Sequence, residues 1–451
     1  MAAVALAEPT RRLLVGPVAP TLLRLAAPNV LVMVLQAGVT TLDAVFVGWL
    51  GSQALAGVSL VFPLVMLMQT MSAGGMGGGV ASAVARALGA GRRADAHALA
   101  VHAVVIALVM AAGFTVGLGL GGPVLYRAMG GTGPALEAAI RYSNVVFGGA
   151  AAYWLLNTLA SVVRGTGNMA VPAAVMLAGA LLYVGLAPAL ILGCGPFPRL
   201  GIAGAASASV AAFGLGALAL AAFLVSGRSL VAPSPGACRL RRALFWEILR
   251  VGIPGSLNTV LTNLTVVLLT GLVGPFGAAA LAGYGMGARL EYLLIPLVFG
   301  LGSSLVTMVG TNVGAGQVAR AERIAWVGGA LAAGGTGSIG LLAAVWPGAW
   351  LGLFSADPEV LAAGARYLTI VGPVYGFFGL GLALYFASQG AGRLAWPLTA
   401  GCGRLLIAAV GGALAVHYID AGLSGLFTAI AVALVVFGAT VAAAIRAGAW
   451  R

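Results

Sequence analysis

The sequence predicts an all-α integral membrane protein with twelve transmembrane helices in two pseudo-symmetric six-helix lobes. Three observations carry this reading. Of 451 residues, 61% are hydrophobic and only 7% are charged, against about 25% charged in a soluble domain. So few charges cannot make a water-facing surface. The apolar runs are about 20 residues or longer, the length of a membrane-crossing helix and about twice that of a barrel strand. Lipid offers no partner to backbone polar groups, so spans must be helices or closed barrels; run length selects helices. Thirdly, the chain repeats itself.

Breaks of Gly, Pro and Arg set the spans. In the first half they are expected near Leu22–Leu50, Ala54–Leu88, Ala94–Leu120, Leu136–Val163, Met169–Gly193 and Gly201–Val225. In the second they fall near Leu244–Val273, Ala278–Val313, Ala319–Trp346, Val360–Ser388, Leu394–Tyr418 and Leu423–Ile445. The first lobe is read as 1–227 and the second as 244–451, joined by a cytoplasmic loop at 228–243 that holds Pro233 and Pro235. The 70 glycines suit membrane helices that approach closely. The first apolar run, Ala2–Leu6, is too short for a signal-peptide core.

The repeat is visible residue by residue. Gly91 and Gly316, Tyr142 and Tyr367, Gly165 and Gly390, and Pro172 and Pro397 all lie 225 residues apart, whereas Pro28 and Pro254 differ by 226. Each half has an even number of spans, so both enter from the same face. The halves are therefore a parallel repeat about an axis along the membrane normal, which suits alternating access. With the N-terminus inside, 18 of the 23 basic residues, all arginine, fall on the inner side, Arg404 among them. Four fall outside and Arg289 lies in a span. That excess places both termini in the cytoplasm.

Several classes are excluded. No basic run with interleaved aromatics tracks a phosphate backbone, so no nucleic-acid partner is expected. Cys194, Cys238 and Cys402 form no CxxC pair, and His97, His102 and His417 have no metal-ligand spacing. The glycine run Gly74–Gly79, interrupted by Met76, lacks the GK[ST] ending of a phosphate loop. Without a Ser-His-Asp or Cys-His arrangement, the chain reads as neither an enzyme nor a cofactor protein. With no nucleotide motif, an ion gradient is the expected energy source.

The residues that could carry chemistry sit in spans. Asp43 lies about 12 Å from the outer end of the first. An intramembrane carboxylate is costly and tends to be functional. Asn29, Gln36 and Asp43 are spaced by seven, with Thr40 on the same side, giving a polar stripe that should face a cavity. Pro28, 15 residues before Asp43, can bend that helix. Asn258, Thr262 and Thr265 form a second stripe, which helix–helix hydrogen bonds explain equally well. Asn157, Ser161 and Arg164 share a face of span four and either line an inner vestibule or pack. Glu291, near the start of span eight, is a second coupling candidate or part of a structural pair.

"TTLDAVFVGWLGSQALAGVSL", "ASAVARALGAG", "RGTGNMAVP" and "LGIAGAASAS" resemble the multidrug and toxic compound extrusion (MATE) family. The stretch from Tyr284 to Gly316 is similar to its DinF-like branch. The resemblance implies a bacterial inner-membrane antiporter, working as a monomer, that exports amphiphilic or cationic compounds in exchange for protons or sodium. It implies that Asp43 is the span-one carboxylate and Pro28 the bending proline. Where the family often has Asn and Asp in span five, this chain has Tyr183 and Ala187, and Ser209 stands where a Thr is common. Fewer oxygen ligands favour proton over sodium coupling. The alternative is a lipid or lipid-linked oligosaccharide flippase of the same superfamily.

Overall fold

The computed structural model of the protein describes residues 8–232, 239–417 and 421–450. Ala2–Leu6, Pro233, Pro235, Cys238 and Tyr418, named above, lie outside them. A short helix, α1 (Glu8–Val15), precedes the first span, α2 (Val18–Gly48). The second span is α3 (Ser52–Thr70) and α4 (Gly77–Gly89), joined by a π-helical turn at Met71–Met76. The third is α5 (Arg93–Ala128). The fourth is the pair α6 (Gly133–Gly148) and α7 (Ala150–Gly165), bent by 45°. Then come α8 (Ala170–Leu192) and α9 (Ile202–Val225).

The second half repeats the plan. It runs through α10 (Arg242–Val273), α11 (Ala278–Gly314) and α12 (Val318–Val345), with a short α13 (Pro347–Leu351). Span ten is α14 (Pro358–Val371) and α15 (Tyr375–Ala391), joined by a 3₁₀ turn at Gly372–Val374. Span eleven is α16 (Ala395–Leu406) and α17 (Gly412–His417), joined by a second π-helical turn, and α18 (Gly422–Arg446) is the twelfth. Val109, Leu120, Leu181, Val267 and Leu341 each leave more than half of their surface uncovered by protein. Only a hydrocarbon solvent accommodates so many outward aliphatic side chains.

The geometry explains why the repeat has two offsets. Gly51 and Gly277, 226 apart, both adopt φ 98°, ψ 171°, a conformation open essentially to glycine alone. Gly91 and Gly316, 225 apart, have φ 75° and 76°. Between them, Ser52–Gly89 has 38 residues and Ala278–Gly314 has 37. The π-helical turn at Met71–Met76 holds the extra residue, since such a turn is a one-residue insertion into an α-helix. Asn157 braces it: its amide donates to Ser72 Oγ at 2.8 Å. Span four breaks at Gly149, and the repeat puts the break of span ten beside Pro373.

Packing divides the chain into two compact units. One is Leu31–Ile253 with the described residues up to Arg11; the other is Pro254 onward with Arg12–Val30. Of the three divisions, one falls inside the short α1, after Arg11; the other two fall inside long helices, just after Pro28 in α2 and at Pro254 in α10, where a proline ring removes a helical hydrogen bond. In the second unit, Asn312 Nδ2 donates to Leu13 O at 3.1 Å and Asn29 Nδ2 to Ser303 Oγ at 2.7 Å. In the first unit, the start of α10 is tied by Arg92 to Glu247 at 3.2 Å. A Cβ on Gly79 would come within 2.8 Å of the Gly252 nitrogen. The glycine run therefore serves close helix crossing.

Two histidines fasten the segment between the sequence halves. His97 Nδ1 accepts from the Ala232 N–H at 2.9 Å, and buried His102 Nε2 accepts from the Arg241 N–H at 2.8 Å. Asp95 also accepts from the Arg241 side chain. His102→Phe keeps an aromatic ring but removes the acceptor, together with the Nδ1 bond to the Ala98 carbonyl oxygen within the same helix. The lost bond to Arg241 is worth about 1 kcal/mol, so tryptic cleavage after Arg241 should quicken several-fold. An unchanged cleavage rate would show that the bond does not hold this segment.

Candidate functional site

A cavity of ≈ 130 Å³ opens within the first unit, between α2, α3, α6, α7, α8 and α9. Asp43 is the one charged residue among the described residues that line it. Gln36 and Thr40 come from the same face of α2, as their spacing predicts. Tyr183 from α8 donates its hydroxyl to Asp43 Oδ1. Tyr142 and Tyr153 enter from α6 and α7, and Ser209, hydrogen-bonded to Tyr153, comes from α9. Tyr153 is stacked on Phe213, with ring centroids 4.1 Å apart. The walls thus set five aromatic rings among aliphatic side chains around a carboxyl that is the single one among the described lining residues. Such a lining suits an amphiphile with a cationic part, because ring faces and a carboxylate both attract positive charge.

The Tyr183–Asp43 bond replaces the amide and carboxylate that the resemblance led one to expect in span five. Tyr183 is 6% exposed, so its hydroxyl has few other partners. Tyr183→Phe should cost about 1–3 kcal/mol in thermal unfolding of the detergent-solubilised protein. In an Asp43→Ala background the same change should cost almost nothing. Equal costs in both backgrounds would mean that the bond contributes no stability.

Other candidates lie elsewhere. Asn29 bonds to Ser303 in the second unit and does not line this cavity; α2 changes unit directly after it. Asn157 is buried against Ser72. Asn258 packs on Gly401, where a Cβ would lie 2.6 Å from its Oδ1, and Thr262 bonds back to the Asn258 carbonyl at 2.9 Å. These polar groups join helices or bond back to a carbonyl of their own helix.

Glu291 and Arg404 correct the sequence reading. Glu291 is about 20 Å into α11 rather than near its start. It does not pair with Arg289, whose guanidinium sits over the Phe354 ring at 5.5 Å. Glu291 Oε2 instead accepts from Tyr367 at 3.1 Å, and the positive charge it faces is Arg404. Arg404, assigned by its sequence to the inner side, lies within α16, about 14 Å from the helix start. Its place nine residues after Ala395 puts it inside the span, whereas its charge alone suits an inner loop. Tyr142 and Tyr153 were also missed as lining residues, since nothing in an aromatic residue marks which face of a helix meets a cavity.

The MatE family description matches residues 28–189 and 254–414. The FAD transporter of Shewanella oneidensis is 28% identical over 428 residues, covering 94% of both chains. The probable multidrug resistance protein YoeA of Bacillus subtilis is 27% identical over 77% of this chain and 76% of its own. Among solved structures, a MATE transporter in a bent conformation superposes with TM-score 0.91 at 24% identity, over 99% of this chain and 98% of its own. A MOP superfamily transporter from Pyrococcus furiosus gives TM-score 0.90 at 24% identity over 98% of both chains. Two matched segments, one per half, account for most of the chain: the protein belongs to the MatE family of multi-pass membrane transporters for drugs and toxic compounds, and is not an enzyme.

Proposed function

We propose that the protein is a secondary antiporter that exports amphiphilic or cationic compounds across a bacterial inner membrane in exchange for protons, with both termini in the cytoplasm. The observation that carries this reading is Asp43, the single charged residue among the described residues that line an apolar, partly aromatic cavity, held by a tyrosine hydroxyl. Protonated, it leaves a neutral cavity; deprotonated, it attracts a cation. Cargo and proton thus compete for one carboxyl, which is the requirement of an exchanger. Tyr183 and Ala187 leave few oxygen ligands for sodium, so protons are the preferred coupling ion.

Reconstitution in liposomes tests this. A pH gradient should drive uptake of a fluorescent lipophilic cation, and a sodium gradient at equal pH should not. Uptake driven by sodium alone would overturn the proton assignment.

The likeness to an FAD transporter over 94% of both chains favours a second reading, in which the cargo is an anionic dinucleotide. Counterflow of FAD in the same liposomes, without uptake of the lipophilic cation, would establish it.

A further inference from the structure

The second unit holds an ionisable group that the coupling scheme does not use. Arg404 is half-buried in the middle of a membrane span, where a charged residue is costly and is retained for a reason. Among the described residues, no carboxylate lies within ion-pair distance of it, and no hydrogen bond from its guanidinium reaches the protein. Two buried rings fix it instead: its guanidinium carbon lies 5.9 Å from the centre of Phe378 and 5.5 Å from that of Phe437. Rings attract the cation but leave its N–H donors unspent. Glu291 faces Arg404 at longer range and takes its own hydrogen bond from Tyr367.

The repeat gives this cluster a place. With the offset of 225 residues, Arg404 falls on Gly179 and Tyr367 on Tyr142. With the offset of 226 that holds before the π-helical turn, Glu291 falls on Val65. Gly179, Tyr142 and Val65 all line the cavity around Asp43. The cluster therefore occupies in the second half the position that the cavity occupies in the first. One half presents a lone carboxyl there, and the other a guanidinium that makes no hydrogen bond among the described residues, beside a carboxylate held by Tyr367.

We propose that Arg404, with Glu291 and Tyr367 beside it, forms a second ligand site that takes the anionic group of an amphiphilic cargo, a carboxylate or a phosphate. The guanidinium's parallel N–H pairs match two oxygens of such a group. Glu291, held back by Tyr367, limits the site's affinity by repulsion and so lets the cargo leave. This rests on the reading of the protein as an exporter of amphiphiles, and it adds zwitterionic compounds to the cargo class.

Equilibrium binding tests it on the full chain in a neutral maltoside at low salt. The probes are a fluorescent xanthene dye with a free carboxylate and its methyl ester, followed by anisotropy. Wild type should bind the carboxylate form about tenfold more tightly than the ester, as expected for a charge-assisted hydrogen bond. In Arg404→Gln that ratio should fall to about one, and Glu291→Gln should raise it several-fold by removing the repulsion. A ratio of one in wild type, or a preference that survives Arg404→Gln, overturns the site. If Arg404→Gln does not fold, Glu291→Gln decides: an unchanged or smaller ratio overturns it. No gradient is involved, so failure of proton coupling would appear in the liposome assay and leave this ratio intact.

Discussion

Asp43→Asn should abolish uphill export while leaving the protein folded. A one-unit pH gradient is worth about 1.4 kcal/mol per proton, enough to hold cargo at about tenfold excess for one-to-one exchange. Wild-type liposomes should reach that order of accumulation, and the variant should stop at equal concentrations on both sides. Among the described residues that line the cavity, Asp43 is the one that carries charge. Asparagine nearly matches aspartate in shape, and its side-chain oxygen can still accept the Tyr183 hydroxyl, so unfolding temperature should move little. What it loses is the exchangeable proton. Accumulation in the variant equal to wild type would remove Asp43 from the coupling scheme.

Gly340→Ala should destabilise the protein by about 1–3 kcal/mol, the usual range for overpacking. A Cβ at Gly340 would lie 2.1 Å from the Gly372 carbonyl oxygen and 2.9 Å from Tyr375 Cβ. The approach is reciprocal, since a Cβ on Gly372 would meet the Gly340 carbonyl oxygen at 2.6 Å. Neither neighbour is the tip of a flexible side chain, and Tyr375 is fully buried. Helix α12 would have to move away from the turn that joins α14 to α15. Gly334→Ala on the same helix is the control, because a Cβ there meets nothing within 4 Å. Thermal unfolding in detergent should separate the two variants; equal midpoints would refute the close-contact argument.

Part of the site was legible before folding and part was not. The spacing of Gln36, Thr40 and Asp43 placed them on one helical face, and all three line the cavity. The same spacing enrolled Asn29, which the structure gives to Ser303 in the other unit. A helical period says which residues share a face but not where along the helix the neighbour changes. Tyr183 was found through a departure from a family pattern, yet its bond to Asp43 crosses 140 residues of chain. Arg404 was misassigned because a charge tally weighs sign and not depth.

By itself the sequence determined that the chain is helical, membrane-spanning and duplicated. Those conclusions depend on composition, run length and a constant offset, all of which are local or periodic properties. Only the tertiary structure decided that a π-helical turn accounts for the change of offset. It also decided that the packing units part within α2 and α10, and that Tyr142, Tyr153 and Tyr183 gather around Asp43. Hydrophobic pattern fixes which helices enter the bilayer, since each residue's transfer from water is nearly independent of its neighbours. Which side chains then meet depends on interhelical contacts, and those exist only after the helices have packed.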